Sequence, residues 1–219
     1  DCIAQYTQHV TSTTAAGDPS PHTAMGVFAG IRASAQARLG SDDLEGVRVA
    51  VQGLGQVGYA LAEQLAAAGA ELLVSDLDPG KVALAVEQLG AQPVASEAMI
   101  GTPCEIFAPC GLGGQITPAT VGKLHCAVVA GAANNQLSGP EMADELERRG
   151  ILYAPDYVIN SGGLIYVALT HQQQPLTAIT HHLSKIALRL TDIYAHAQAD
   201  KRSPARVADA LAERLLYGR

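Results

Sequence analysis

Tryptophan is missing from this sequence, phenylalanine occurs only twice, and aromatic residues make up 4% of it. Charged residues are also scarce, at 16%, and acidic residues outnumber basic ones, so that the formal net charge is −7. A basic surface of the kind that binds nucleic acid or anionic lipid therefore cannot be the organising feature. Apolar runs stay well short of membrane-spanning length. We expect no nucleic-acid partner and no membrane.

Cysteine and histidine are too few and too scattered to predict a metal site. The cysteines form no C-x-x-C pair and stand at no ligand spacing from a histidine: Cys2, Cys104, Cys110 and Cys126. This spacing predicts buried, reduced thiols in a cytoplasmic protein, and Cys110 is interpreted as structural because no base partner can be assigned to it. Five histidines are interpreted as surface or capping residues: His22, His125, His171, His181 and His182.

The strongest pattern that is present lies in residues 47–76. Alternating valines over residues 47–51 predict a strand, and three glycines follow it with the spacing G-x-G-x-x-G. Apolar residues then recur every four positions, which predicts a helix, and a second strand over residues 71–75 ends on Asp76. A glycine turn between a strand and a helix, followed by a spaced acid, is typical of a dinucleotide site.

Each glycine of this turn has a separate physical role. Gly53 permits the tight turn, Gly55 lets the backbone approach a pyrophosphate, and Gly58 lets the helix lie close to the strand. The helix begins at Gln56 and Val57, whose N–H groups face the phosphates. We therefore predict that residues 53–58 bind a nicotinamide dinucleotide.

Asp76 predicts which dinucleotide is bound. A carboxylate at this position accepts hydrogen bonds from the adenosine ribose and repels the 2′-phosphate of NADP. Leu77 follows it, and no cation occurs before Lys81. These residues favour NAD over NADP, while Asp78 is interpreted as the N-cap of the helix that starts at Pro79.

The rest of the chain predicts an α/β fold of the Rossmann type: a doubly wound, mostly parallel sheet of about six strands with flanking helices and a C-terminal helical extension. We expect residues 1–19 to be a linker or the remnant of a preceding domain, because the chain opens on Asp1 without a methionine. Residues 20–172 are predicted to form the NAD-binding domain. Residues 173–219 are predicted to form helices that pack back on it. Ser20 is the predicted N-cap of the first helix.

Three loops rich in small residues follow the fourth, fifth and sixth predicted strands. They contain, in order, Pro109, Cys110 and Gly111; Ala133 and Asn134; and Asn160. Ligands of open α/β sheets bind at this edge, and asparagine can both donate and accept hydrogen bonds. Glycine, proline and asparagine are also ordinary turn formers, but three such loops at one edge favour a binding role.

Five segments together resemble the amino-acid dehydrogenases of the glutamate/leucine/phenylalanine/valine superfamily, and the leucine-type branch in particular. They are residues 17–27, 44–58, 106–114, 130–137 and 153–163. The resemblance covers essentially the whole chain. It implies reversible NAD-dependent oxidative deamination of an aliphatic L-amino acid to the 2-oxo acid and ammonia.

The resemblance also implies roles for single residues. Thr23 and Asn160 border the nicotinamide carboxamide and the substrate, while the Pro109 and Asn134 loops line the nicotinamide–ribose side. Leu164 and Val167 fall where the family lines the pocket for the substrate side chain, and both suit an aliphatic group.

One departure from the family concerns catalysis. The family's reaction depends on two lysines and an aspartate in an N-terminal domain, and none of the four lysines in this sequence has that context: Lys81, Lys123, Lys185 and Lys201. We assign no catalytic residue to this chain and expect its partner to be the family's own N-terminal domain, in a homo-oligomer. The alternatives are a stand-alone NAD-binding module, a phenylalanine- or valine-specific enzyme, and a hydroxy-acid dehydrogenase, for which no histidine–acid pair is placed.

Overall fold

The computed structural model describes residues 17–218. The predictions for residues 1–16, including Cys2 and most of the expected linker, lie outside this range. Eight α-helices occur in the described residues: α1 (Ser20–Leu39), α2 (Gln56–Ala67), α3 (Pro79–Leu89), α4 (Glu141–Arg148), α5 (Asp156–Ile159), α6 (Gly162–His171), α7 (Leu176–Asp200) and α8 (Pro204–Tyr217).

Six strands form a single parallel sheet in the order β3-β2-β1-β4-β5-β6. Their bounds are β1 (Arg48–Gln52), β2 (Glu71–Ser75), β3 (Gln92–Pro93), β4 (Ile106–Pro109), β5 (Val128–Val129) and β6 (Leu152–Tyr153). The order reverses between β1 and β4, which pair directly from Val49 with Ile106 to Gln52 with Pro109. The predicted doubly wound sheet is therefore confirmed, and its switch point lies beside the glycine turn.

Each face of the sheet is covered by its own apolar cluster. Val49 and Val51 of β1 point into a cluster with α1, α2 and α7, whereas Ala50 between them points into the opposite cluster with Phe107 and α4. This alternation follows from the period of two along a strand. Because both faces are buried, the edge formed by the strand ends is where polar groups of the sheet can meet a ligand.

Helix α1 lies on the sheet side that α2 and α7 also cover, and it contacts both of them as well as α6. Its buried residues include Val27, Ile31 and Ala35, and the side chain of Ser34 hydrogen-bonds Tyr194 of α7 at 2.7 Å. Gly26 and Gly30 of α1 permit the close approach of α7. A Cβ on Gly26 would lie 2.7 Å from Ile186, and a Cβ on Gly30 would lie 2.9 Å from Leu190. Helix α7 thus packs against the same layer as the first helix, whereas α8 contacts α7, α4 and β6.

One predicted helix boundary differs from the structure. The prediction that Ser20 is the N-cap of α1 is wrong: Ser20 is the first helical residue, and the carboxylate of Asp18 accepts its backbone N–H at 2.9 Å. A single 3₁₀ turn, Val121–Lys123, lies between β4 and β5. The third, fifth and sixth strands have only two residues each.

The N-cap role of Asp78 is confirmed, since its carboxylate accepts the backbone N–H of Gly80 at 2.9 Å. The cysteines Cys104, Cys110 and Cys126 are free thiols. None of the helices within residues 17–218 is long and apolar enough to cross a membrane.

Candidate functional site

The glycine turn joins β1 to α2 in a conformation that only glycine adopts without strain. Gly53 has φ of +97°, and a Cβ there would lie 2.7 Å from the backbone nitrogen of Gly111. A Cβ on Gly58 would overlap the carbonyl oxygen of Gly53. The strand, the turn and the helix are therefore in direct backbone contact, which the predicted roles of Gly53 and Gly58 require.

Gly55 differs from its two neighbours in the turn. It is exposed, and no other part of residues 17–218 comes within 4 Å of where its Cβ would be. It is also the N-cap of α2 and provides no side-chain acceptor for the first N–H groups of the helix. The space beside Gly55 is open to a group that accepts hydrogen bonds from Gln56 and Val57.

Asp76 lies directly after β2 and hydrogen-bonds the glycine turn. One carboxylate oxygen accepts the backbone N–H of Leu54 at 2.6 Å, and the other accepts that of Asp78 at 2.9 Å. Burial alone raises the pKa of Asp76, but these backbone hydrogen bonds and the nearby Lys81 lower it overall. Asp76 is therefore a carboxylate at neutral pH. The side chain of Leu77 beside it is 87% exposed.

The sheet edge has two halves, the first formed by the ends of β2 and β1 and the second by the ends of β4, β5 and β6. The loop after β4 connects the glycine turn of the first half to the second half. The backbone nitrogen of Cys110 donates to the carbonyl of Gln52 at 2.7 Å, and the Cβ of Cys110 would contact a Cβ on Gly58 at 3.1 Å. The carbonyl of Pro109 accepts the N–H of Ala133 at 2.9 Å. Residues 109–111 therefore form the floor between the two halves.

Cys110 is not a candidate nucleophile. Burial raises the pKa of its thiol to about 11, so that the thiolate population at neutral pH is negligible. This supports the structural interpretation made from the sequence. Burial likewise raises the pKa of Cys104 to about 11 and that of Cys126 to about 12.

The two predicted asparagines meet at the far end of the edge. The side-chain nitrogen of Asn160 donates to the side-chain oxygen of Asn134 at 2.7 Å and to the carbonyl of Ala132 at 3.2 Å. Thr23 lies close by, since a Cβ on Gly163 would overlap its hydroxyl. Asn134 is exposed and Asn160 is half-buried, so that both have polar atoms available to a ligand.

The sequence-predicted residues thus form one row along the edge, in the order of the strands: Asp76, the glycine turn, the Pro109 loop, Asn134 and Asn160. Leu164 and Val167 lie just beyond the end of this row on α6. Leu164 is 73% exposed and Val167 is half-buried.

One histidine prediction is wrong. His22 is neither a surface residue nor a cap: its ring stacks on Tyr166 of α6 with centroids 3.8 Å apart and an interplanar angle of 14°. Burial lowers the pKa of His22, and the opposing effect of Asp18 does not reverse this. The stack fixes α6 against the start of α1, beside Thr23.

Gln136 is a site residue to which the sequence pattern gave no role. It is 1% exposed, and its side-chain nitrogen donates to the carbonyls of Gly131 at 2.9 Å and Ala133 at 3.0 Å. Its burial, which the sequence does not show, is what requires these partners, because a buried amide must be hydrogen-bonded. Asp156 is a second site residue to which the sequence pattern gave no role. Its carboxylate accepts the backbone N–H of Gln136 at 2.9 Å.

A cleft of about 620 Å³ lies away from this edge, between α4 and the start of α8. Most of its lining residues are charged, and two of them, Arg206 and Asp144, form an ion pair at 3.0 Å. It contains none of the predicted site residues, and we do not regard it as the functional site.

The sheet order and the glycine turn at its switch point place the chain among α/β proteins of the Rossmann type. Residues 80–212 match the family described as Glutamate/Leucine/Phenylalanine/Valine dehydrogenase, and the chain belongs to that family.

Individual relatives agree with this assignment. The chain is 48% identical over 172 residues to leucine dehydrogenase of Geobacillus stearothermophilus, which covers 77% of this chain and 47% of that protein. It is 40% identical over 196 residues to L-tryptophan dehydrogenase of Nostoc punctiforme, covering 87% of this chain and 56% of the relative. The crystal structure of L-tryptophan dehydrogenase from Nostoc punctiforme superposes with a TM-score of 0.87 at 39% identity, over 89% of this chain and 59% of the other. The chain spans about half the length of the curated relatives it matches.

Proposed function

We propose that this chain is the NAD-binding part of an amino-acid dehydrogenase that oxidatively deaminates a leucine-like L-amino acid. The observation that carries the proposal is the contact between the glycine turn and Asp76. A backbone turn that excludes every side chain at Gly53 and Gly58 ends beside a carboxylate that is hydrogen-bonded to Leu54.

The residues present fit a dinucleotide. The open space beside Gly55 accommodates a pyrophosphate, which accepts hydrogen bonds from the uncapped first turn of α2. Asp76 is ionised and faces the turn, where the adenosine ribose hydroxyls can donate to it. The same charge opposes the 2′-phosphate of NADP, and the exposed Leu77 offers that phosphate no cation.

The nicotinamide end is assigned to the second half of the edge. Asn134, Asn160 and Thr23 supply polar atoms there, and the Pro109 loop forms the wall on the ribose side. NAD, when bound, supplies the acceptor for the hydride that leaves the substrate's Cα. The contribution of this chain is to hold that acceptor in a fixed position and orientation.

The substrate preference follows from the apolar residues of α6. Leu164 and Val167 offer contact to an aliphatic side chain and no cation for a second carboxylate, which argues against glutamate. The 48% identity to a leucine dehydrogenase supports the same choice. An aromatic substrate is the second candidate, and the similarity to L-tryptophan dehydrogenase along 89% of the chain favours it.

None of the four lysines within residues 17–218 is buried beside an acid. Lys81, Lys123, Lys185 and Lys201 are all exposed side chains. We therefore place the catalytic acid and base in the family's N-terminal domain, with which this chain acts in a homo-oligomer. The competing hypothesis is an NAD-binding module that takes no part in catalysis.

Calorimetric titration of the 219-residue chain with NAD and NADP tests the proposal. We expect NAD to bind and NADP to bind at least about tenfold more weakly. Repulsion between the Asp76 carboxylate and the 2′-phosphate of NADP costs on the order of 1–3 kcal/mol. Absence of NAD binding, or equal affinity for both, contradicts it. Addition of the family's N-terminal domain with leucine, tryptophan or phenylalanine then separates the dehydrogenase from the non-catalytic module, since only the former produces NADH.

A further inference from the structure

Gln136 joins all three loops of the second half of the sheet edge. Its side-chain nitrogen donates to the carbonyls of Gly131 and Ala133 in its own loop, at 2.9 and 3.0 Å. Its backbone carbonyl accepts the N–H of Ile116, at 3.0 Å, from the loop that follows β4. Its backbone nitrogen donates to the carboxylate of Asp156, at 2.9 Å, in the segment that follows β6. One residue therefore connects three separate strand ends.

The orientation of the Gln136 amide is fixed by these partners. Both acceptors of its side chain are carbonyl oxygens, so a flipped amide would turn its own oxygen toward two others. The side chain is 1% exposed, so lost hydrogen bonds could not be replaced freely by bulk solvent. The carbonyls of Gly131 and Ala133 are thereby held on either side of Ala132, directly before Asn134.

Asn134 depends on this arrangement. Its side-chain oxygen accepts from Asn160, which also donates to the carbonyl of Ala132, at 3.2 Å. The loop held by Gln136 thus presents one acceptor from its backbone and one from Asn134 to the same side-chain nitrogen. If the loop relaxes, both acceptors move together, and Asn160 loses its position as well.

We propose that Gln136 is a positioning residue for the nicotinamide half of the dinucleotide site, acting through Asn134 and Asn160. The inference rests on the proposed function, since it assigns this half of the edge to the nicotinamide riboside. Gln136 contacts neither the glycine turn nor Asp76 in the hydrogen bonds described above. Removing the Gln136 side-chain amide therefore weakens binding of the nicotinamide riboside and leaves binding of the adenosine diphosphate unchanged.

Two ligands and two variants test this on the full 219-residue chain. ADP retains the adenosine and both phosphates of NAD but lacks the nicotinamide riboside. Gln136→Glu keeps the shape and replaces the donating nitrogen by oxygen, while Gln136→Met keeps the length and removes the donor without adding charge. Gln115→Met is the matched control, because Gln115 is a half-buried residue of the neighbouring loop that has no part in the junction described above.

The expected result is that the Kd for NAD rises about tenfold or more in both Gln136 variants, which is the loss of roughly one buried hydrogen bond. The Kd for ADP stays within about twofold of the unmodified chain, and Gln115→Met changes neither value. If Gln136→Glu does not fold, the same ratio measured in Gln136→Met decides.

The failures are distinguishable. An unmodified chain that binds neither NAD nor ADP contradicts the proposed function itself. An unmodified chain that binds both, with folded Gln136 variants that weaken NAD and ADP equally or weaken neither, overturns the positioning role alone.

Discussion

The two halves of the sheet edge are built in different ways. The half formed by β1 and β2 is held mainly by contacts of the backbone. Two glycines leave no room for side chains, and the carboxylate of Asp76 accepts the backbone N–H of Leu54 in the turn. In the half formed by β4, β5 and β6, side-chain amides connect loops from different strands, as Asn160 does with Asn134. Backbone overlap at Gly53 and Gly58 is the main constraint on the first half. In the second half, where Gly113 and Gly131 are also tightly packed, side-chain hydrogen bonds between loops are added.

This difference sets how each half responds to substitution. Overlap with a backbone atom cannot be relieved by a small side-chain movement, so a methyl group in the glycine turn has a large effect. A lost hydrogen bond costs only about 1–3 kcal/mol, so changes in the second half are graded. The predictions below follow from this contrast, in order of decreasing effect.

The largest effect is expected in the glycine turn. Gly58→Ala introduces a Cβ that overlaps the carbonyl of Gly53, so we expect the unfolding free energy to fall by about 1–3 kcal/mol. NAD affinity should fall at least about a hundredfold, equivalent to about 2.7 kcal/mol. Urea unfolding and calorimetry measure the two quantities.

Two further glycine variants separate stability from binding. Gly55→Ala should change the unfolding free energy by no more than about 1 kcal/mol, the difference between glycine and alanine at an N-cap, and still weaken NAD, because the space beside Gly55 is open and is assigned to the pyrophosphate. Gly122→Ala, a position with equally open surroundings away from the edge, should change neither. If Gly55→Ala binds NAD normally, the pyrophosphate does not lie there.

The next effect concerns cofactor choice. Replacing Asp76 by Ser and Leu77 by Arg removes the carboxylate and adds a cation where the 2′-phosphate would lie. The ratio of NADP to NAD affinity should rise by about 10- to 100-fold, equivalent to about 1.4–2.7 kcal/mol. Lys81→Ala is the control, because this cation lies further along the chain and its loss should change the ratio of NADP to NAD affinity less. A ratio that does not change in the double variant would remove Asp76 from the ribose site.

A smaller effect is expected at the substrate end, in an enzyme assembled with the family's N-terminal domain. Leu164→Ala or Val167→Ala should shift the ratio of kcat/KM from leucine toward phenylalanine by about tenfold, since a methylene-sized gap changes discrimination by about 1–3 kcal/mol. Leu188→Ala on α7, which is 64% exposed and far along the chain, serves as the control. If neither pocket variant alters the ratio, these residues do not line the pocket.

The smallest effect is a dependence of stability on pH. Hydrogen bonding holds the folded-state pKa of Asp76 below the ordinary pKa of an aspartate, so its contribution to stability is fully present above the ordinary pKa and is lost as the pH falls through the lower, folded-state pKa. The difference in unfolding free energy between the unmodified chain and Asp76→Asn should therefore be constant from about pH 8 to about pH 5 and shrink below about pH 4. A difference that grows on acidification would contradict the assignment of the carboxylate as an acceptor.

The same contrast explains what could be predicted from the sequence. The first half is local: its glycines, helix and acid follow one another within residues 47–76, so their spacing was enough to predict the turn. The doubly wound order was equally accessible, because strands and helices alternate along the chain.

The second half is assembled from distant segments, and its junction was not predicted. Gln136 can make its hydrogen bonds only when the ends of β4, β5 and β6 are adjacent. Two of its partners, Ile116 and Asp156, are far from each other in the sequence. The stack of His22 on Tyr166 is similar, because α1 and α6 meet only in the folded chain. The error at the start of α1 has a different cause: Asp18 provides the acceptor that Ser20 was expected to provide.

The central claim is that one continuous edge binds the two ends of NAD with two different kinds of structure. Backbone amide shifts of the 22.6 kDa chain, measured by NMR during titration with ADP and then with NAD, test it most directly. We predict that ADP shifts residues 53–58 and 76–78 only, and that NAD also shifts residues 110–111 and 131–136 together with Asn160. Shifts by NAD confined to the first half, or located outside this edge, would contradict the account.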